Sequence, residues 1–81
     1  MKAKIYVTLK RGILDPQGKA IQQSLETLGY QGLEEVRMGK YLEIQLSVRP
    51  LEVARRQIQE MCEKLLANTI IEEYRFEIAD T

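Results

Sequence analysis

The sequence predicts an α+β fold, a βαββαβ ferredoxin-like two-layer sandwich in which a four-stranded antiparallel sheet carries two helices on one face. Two kinds of pattern predict it. Some stretches alternate apolar and polar residues, as half-buried strands do, and two others repeat apolar residues every three or four positions, as amphipathic helices do. Their order is strand, helix, strand, strand, helix, strand. We expect residues 1–81 to form a single domain, since a chain of this length holds one small core.

The first strand stops near Lys10, and a helix starts within a few residues. The strand's apolar residues share one face: Ala3, Ile5, Val7 and Leu9. Asp15 is suited to cap the helix, and Pro16 fits the first helical position, so the helix should run from about Pro16 to Leu28. Gly18 costs up to about 1 kcal/mol relative to alanine inside a helix. We therefore expect another part of the chain to approach the backbone closely at Gly18.

A hairpin is predicted next, with strands over about Leu33 to Met38 and Tyr41 to Val48. The turn falls at Gly39-Lys40, where glycine would supply the positive φ of a tight hairpin. The second arm alternates cleanly, whereas the first alternates imperfectly.

The second helix should open at Pro50, because proline is tolerated at a helix start. Its apolar residues recur at steps of three and four: Leu51, Ala54, Ile58, Met61 and Leu65. Asn68 is suited to a left-handed position after this helix, and a last strand alternates around Phe76. One sheet face is left uncovered, available to water or to another subunit, and it should carry Lys4, Tyr6, Thr8, Tyr41, Glu43, Gln45, Arg75 and Glu77.

Composition limits the function classes. Lys plus Arg and Asp plus Glu each number 12, so no net charge attracts nucleic acid or an anionic membrane. With one cysteine and no histidine, neither an internal disulfide nor a zinc site is expected, and association between subunits is the remaining support for a small core. No apolar stretch reaches the roughly 20 residues of a membrane span. We expect a cytoplasmic oligomer whose Cys62 stays reduced.

The residue inventory offers little catalytic equipment. Without an imidazole, no serine or cysteine is activated as a nucleophile by a known motif, and we expect Cys62 to be a packed thiol. The adjacent pair Glu34-Glu35 points to opposite faces of a strand, as does Glu72-Glu73. The glycines match no nucleotide-binding fingerprint, although the stretch Gly12 to Gly18 remains a candidate anion cradle. Tyr6 and Tyr41 leave RNA binding as a further alternative, against the balanced charge.

Four blocks of sequence, taken together, closely resemble the PurS family, the small subunit of phosphoribosylformylglycinamidine synthase (formylglycinamide ribonucleotide amidotransferase). The blocks are residues 7–21, 36–40, 61–68 and 71–74, in family order and spacing. One departure is Thr69, where the family commonly has proline after the asparagine that ends the second helix.

The resemblance implies a non-catalytic subunit of an ATP-dependent glutamine amidotransferase ligase complex in purine biosynthesis. In the family, the large subunit uses ATP and magnesium, a separate glutaminase subunit releases ammonia, and the small subunit forms homodimers, possibly tetramers, that bridge the two. It therefore implies no cofactor, metal or catalytic residue in this chain.

Partner contacts are expected where the family-like residues are not explained by core packing. These residues are Lys10, Arg11, Gly12, Asp15, Pro16, Gly18, Arg37, Gly39 and Lys40. A plainer interpretation is that Asp15, Pro16 and Gly18 only shape the helix entry. A different class of function also remains open at this point, a small-molecule-binding regulatory module of the amino-acid-sensing type, which shares the predicted topology.

Overall fold

The computed structural model describes residues 1–47 and 49–79. Its elements in chain order are β1 (Lys2–Leu9), α1 (Pro16–Thr27), β2 (Gly39–Gln45), α2 (Leu51–Met61), a π-helical segment (Cys62–Leu66) and β3 (Glu72–Ala79). Both helices begin where proline predicts, because Pro16 is the first residue of α1 and Pro50 is the N-cap of α2. Val48, the predicted end of a strand, lies outside the described residues.

The described residues form a sheet of three strands, in the order β2-β1-β3, and the prediction of four was wrong. The missing strand is the predicted hairpin arm from Leu33 to Met38. Its backbone groups bond elsewhere: the Leu33 carbonyl oxygen accepts from Gln22 Nε2 at 2.8 Å, and the Met38 amide donates to Asp15 Oδ2 at 2.8 Å. Side chains of α1 and its N-cap therefore bond the backbone groups that a neighbouring strand of the hairpin would need.

Gly39 does not form the predicted turn. It is the first residue of β2 and pairs with Thr8, and the described glycines with positive φ are Gly12, Gly29 and Gly32. The reason for glycine at 39 is space, because a Cβ there would lie 2.4 Å from the carbonyl oxygen of Val7. The sequence thus identified a position that requires glycine, but the requirement comes from lack of space and not from a positive φ.

The core lies between β1 and the second helix. Ala3, Ile5 and Val7 from β1 are buried against Ile58 and Cys62. The buried positions of the helical stretch are four apart, at 54, 58 and 62, so Met61 and Leu65 are 37% and 82% exposed, respectively, instead of buried. The π-helical segment begins only at Cys62, so the spacing of four is already set within α2. The predicted stripe was therefore right at Ala54 and Ile58 and wrong at Leu51, which is 43% exposed, and at Met61 and Leu65.

Helix α1 ends one residue before the predicted Leu28. It does not pack on the sheet face, where the predicted fold places it. Gly18 is its one buried residue, Ile21 is 38% exposed, and α1 adds no side chain to the core cluster of the described residues. The Cα radius of gyration is 16.1 Å, against about 12 Å for a compact chain of this length. The prediction that both helices cover one sheet face was wrong for α1.

The sheet face opposite α2 carries the predicted polar and aromatic residues. Tyr6 of β1 pairs with Tyr41 on one side and Arg75 on the other, and its ring lies 5.1 Å from that of Tyr41 and 3.9 Å from the Arg75 guanidinium carbon. Lys4 is flanked by Glu43 and Glu77 in the same way. The prediction of an uncovered, tyrosine-bearing face is confirmed.

The turn between the π-helical segment and β3 is closed by Asn68, without a left-handed residue. The described chain has no non-glycine residue at positive φ, so that prediction for Asn68 was wrong. Its Oδ1 accepts from the Ile70 amide at 3.2 Å, and its carbonyl oxygen accepts from the Glu72 amide at 2.7 Å. These bonds hold the turn around Thr69. None of the helices within residues 1–47 and 49–79 has the length and apolar composition of a membrane span.

Candidate functional site

The loop between β1 and α1 and the segment before β2 lie together at one end of the molecule. We call residues 10–18 and 36–40 the loop surface. A groove of about 240 Å³ is lined from both segments, and a second groove of about 280 Å³ continues on the other side of Asp15. The loop surface contains all nine predicted contact residues: Lys10, Arg11, Gly12, Asp15, Pro16, Gly18, Arg37, Gly39 and Lys40.

Asp15 joins the two segments. Its Oδ1 accepts from the Gly18 amide at 2.9 Å, which confirms the predicted helix cap, and its Oδ2 accepts from the Met38 amide at 2.8 Å. These two bonds, the one from Met38 foremost, hold the pKa of the Asp15 carboxyl below its ordinary value. The carboxylate is thus kept charged by backbone donors from both segments. Sequence reasoning missed the bond to Met38, because no local pattern connects residues so far apart.

Arg37 connects the segment before β2 to the strands β1 and β3. Its Nη2 donates to the carbonyl oxygen of Leu9 at the end of β1 and lies 3.8 Å from Glu73 Oε1 at the start of β3. Its side chain is only 26% exposed. A guanidinium has several donors in one plane, so it can engage a carbonyl and a carboxylate at once. Arg37 therefore ties the segment before β2 to the ends of two strands.

Glycine permits the close approach of the two segments. A Cβ at Gly18 would lie 2.2 Å from the carbonyl oxygen of Val36, which confirms the close approach predicted there. Gly12 has φ +88°, a conformation that favours glycine, where the loop turns away from β1. The glycine at 18 is thus required by contact and the one at 12 by conformation.

The exposed charges of the loop surface are of both signs. Arg11 Nη1 lies 3.7 Å from Glu35 Oε1, and both side chains are more than half exposed. An exposed pair of this kind contributes little to stability, so both groups remain available to another surface. The candidate anion cradle is occupied in part by the chain itself, since the Gly18 amide already donates to Asp15.

The groups considered for catalysis lie apart from one another. Cys62 is fully buried, and burial raises the pKa of its thiol, which confirms the prediction of a packed thiol. Glu72 accepts from the Asn68 amide at 2.6 Å, whereas Glu73 faces Arg37. Among residues 1–47 and 49–79 no group of three or more cysteine, aspartate or glutamate side chains could hold a metal ion.

Fold and site together define a class of protein, a small α+β protein with an antiparallel sheet and two loop segments that are joined by hydrogen bonds. A family model described as PurS, phosphoribosylformylglycinamidine (FGAM) synthase, matches residues 2–80. The chain therefore belongs to the PurS family. It is the small, non-catalytic subunit of FGAM synthase, a ligase complex of purine biosynthesis.

Individual relatives agree with the family match. The FGAM synthase subunit PurS of Bacillus subtilis is 51% identical over 81 residues, which cover 98% of this chain and 93% of that protein. The crystal structure of Methanocaldococcus jannaschii PurS superposes with a TM-score of 0.88 at 35% identity, covering 99% of this chain and 96% of that one. A chain in the structure of PurLQS from Thermotoga maritima gives a TM-score of 0.86 at 28% identity, covering 94% and 93%. None of these relatives supports the regulatory-module alternative.

Proposed function

We propose that this subunit bridges the synthetase and glutaminase subunits of FGAM synthase through the loop surface and so supports ammonia transfer between their active sites. A chain of the same fold occurs in the PurLQS structure of Thermotoga maritima, which supports an assembly role. The complex is ATP-dependent, and we assign ATP and magnesium to the large subunit. The place of action is the cytoplasm.

One observation carries the choice of the loop surface. The nine predicted contact residues come from two segments of the chain, none of them belongs to the core cluster, and seven of them line the two adjoining grooves. Their backbone is held in place by Asp15 and Arg37, while Arg11 and Lys40 are exposed. A surface that is rigid before binding loses less conformational entropy on binding, and this favours its use as a contact site.

We also propose that the subunit is a homodimer. Large apolar side chains are exposed on several elements of the described chain, including Leu28 at 74% and Leu65 at 82%. Helix α1 lies outside the core, and the molecule extends over 49 × 28 × 15 Å. Association would bury apolar surface that the single chain leaves in water.

Reconstitution of the complex tests the contact surface. The double variant Arg11→Glu and Lys40→Glu should fold normally but lower glutamine-dependent turnover of the reconstituted complex by roughly tenfold, since close charge pairs across an interface are sensitive to reversal. Turnover with added ammonia should fall less. The matched control is Arg55→Glu and Arg56→Glu, which makes the same charge change on the exposed side of α2. Unchanged turnover of the first variant, or an equal loss in the control, would rule out the loop surface as the specific contact.

Sedimentation of the isolated chain tests the dimer. Two copies should sediment together at micromolar concentration. The variants Leu28→Glu and Leu65→Glu should each shift the equilibrium toward single chains where the substituted residue lies in the interface. A single-chain species at all concentrations would contradict the proposal.

A further inference from the structure

Asp15 and Arg37 form a reciprocal latch between the two segments of the loop surface. Asp15 belongs to the first segment and accepts from the Met38 amide of the second. Arg37 belongs to the second and donates to the Leu9 carbonyl oxygen just before the first. Each segment therefore contributes one charged side chain. Asp15 bonds the backbone of the other segment, Arg37 bonds the backbone of the residue that directly precedes the other segment, and the two charges are opposite.

We propose that Asp15 and Arg37 are positioning residues for glutamine-dependent turnover, because their latch fixes the place of the exposed contact residues before a partner binds. This inference rests on the proposed function of the loop surface. Neither side chain needs to touch a partner. Their role is to set the distance between Arg11 on one segment and Lys40 on the other.

Helix capping alone does not account for the geometry. A cap needs one acceptor for an amide of the first helical turn, and Asp15 Oδ1 supplies it to Gly18 at 2.9 Å. The second oxygen, Oδ2, accepts from Met38, which belongs to no helix. The approach of Val36 to Gly18 places that amide within reach, and a side chain at residue 18 would prevent it. The capping and latching roles therefore belong to different oxygen atoms.

Serine at position 15 separates the two roles. Asp15→Ser keeps an N-cap acceptor but has one oxygen on a shorter side chain, so it caps α1 without reaching Met38. In the reconstituted complex this variant should lose roughly tenfold in glutamine-dependent turnover, whereas ammonia-dependent turnover stays within about twofold. The charge-matched control is Glu52→Gln, which removes one carboxylate from the first turn of α2. That control should behave like the unmodified chain.

Arg37→Gln provides a second variant that leaves the helix cap intact. It should give the same loss of glutamine-dependent turnover, and the double variant with Asp15→Ser should lose little more, because both residues act on one element. Its matched control is Arg55→Gln on α2.

Hydrogen exchange of the Met38 amide reports the latch directly. Asp15→Ser should speed this exchange by roughly tenfold, while amides in the middle of α1 keep their protection. Faster Met38 exchange without loss of glutamine-dependent turnover would overturn the positioning role. If Arg11→Glu with Lys40→Glu then still lowers turnover, the contact surface stands without the latch. If neither set of variants lowers it, the proposed function itself fails.

Discussion

The carbonyl oxygen of Val36 lies over Gly18 so closely that a Cβ on residue 18 would be 2.2 Å from it. Real Cβ contacts are essentially never this short, so one of the two backbones would have to move. The first turn of α1 and the segment before β2 are thus in backbone contact, which only glycine at position 18 allows. The arrangement of the loop surface depends on this contact.

Gly18→Ala should destabilise the protein although alanine favours helix more than glycine does. The gain in helix propensity is up to about 1 kcal/mol, whereas overpacking against backbone costs about 1–3 kcal/mol. We expect a net loss measured by urea unfolding, with faster exchange of the Met38 amide. Ser24→Ala, on the exposed side of the same helix, is the control and should be neutral or slightly stabilising. A stabilised Gly18→Ala variant would show that Val36 does not pack here.

Ile58→Ala should cost about 2–4 kcal/mol of unfolding free energy, since Ile58 is fully buried and packs against β1. Leu65→Ala should cost less than about 0.5 kcal/mol at a protein concentration where the chain is dissociated, since Leu65 is 82% exposed. Denaturant unfolding of both variants at equal concentration makes the comparison. Equal losses would place Leu65 in the core and contradict the observed packing of the second helix.

Tyr41 should titrate at unusually high pH. Its hydroxyl donates to Glu43 Oε2 at 2.7 Å, and this bond, with burial as a lesser cause, raises the pKa of Tyr41 to about 12. Because the pKa in the folded state lies above the ordinary value near 10, the stabilisation is fully present below pH 10 and is lost as pH rises toward 12. Ultraviolet titration of Glu43→Gln should show this pKa moving back toward 10.

Tyr74 supplies the comparison for that titration. Its pKa is also raised to about 12, but burial is the larger cause and the bond to Glu63 the smaller. Glu63→Gln should therefore lower the pKa of Tyr74 by less than Glu43→Gln lowers that of Tyr41. A titration curve unchanged in Glu43→Gln would contradict the hydrogen bond assigned to Tyr41.

Cys62 should resist thiol reagents in the folded protein. It is fully buried, and burial raises the pKa of its thiol, so both access and thiolate fraction are reduced. Labelling at pH 8 should be at least about a hundredfold slower than after unfolding in urea. In the variant Ser24→Cys, the exposed thiol at position 24 should react at once and the Cys62 thiol slowly. Rapid labelling of two thiols in that variant would show that Cys62 is accessible.

The sequence predicted those elements whose pattern is local. The alternation in β1, the proline at the start of each helix and the capping role of Asp15 all depend on neighbours in the chain, and the structure contains each of them. The fourth strand was predicted wrongly because the segment from Leu33 to Met38 has partners in α1 and its cap that no local pattern reveals. The helix stripe was predicted wrongly in part because the prediction alternates steps of three and four, whereas the buried positions 54, 58 and 62 are four apart.

The candidate site was predicted as a set of residues but not as a geometry. The low helix propensity of glycine predicted a close approach at Gly18, but no sequence pattern identified Val36 as the neighbour. Asp15 and Arg37 were named separately, the first as a cap and both as contact residues. Their cross-connections to Met38 and Leu9 are long-range backbone contacts, and only the folded chain brings those groups together.

The position of β1 at the centre of the sheet affects how the chain reaches its native state. This strand pairs with β3, so Ala3 meets Ile78 from almost the opposite end of the sequence. Closing so long a loop costs entropy before any contact repays it, and a nucleus of this kind forms slowly. Until β3 arrives, one edge of the most apolar strand stays open to pairing with other chains. Refolding yield should accordingly fall as concentration rises.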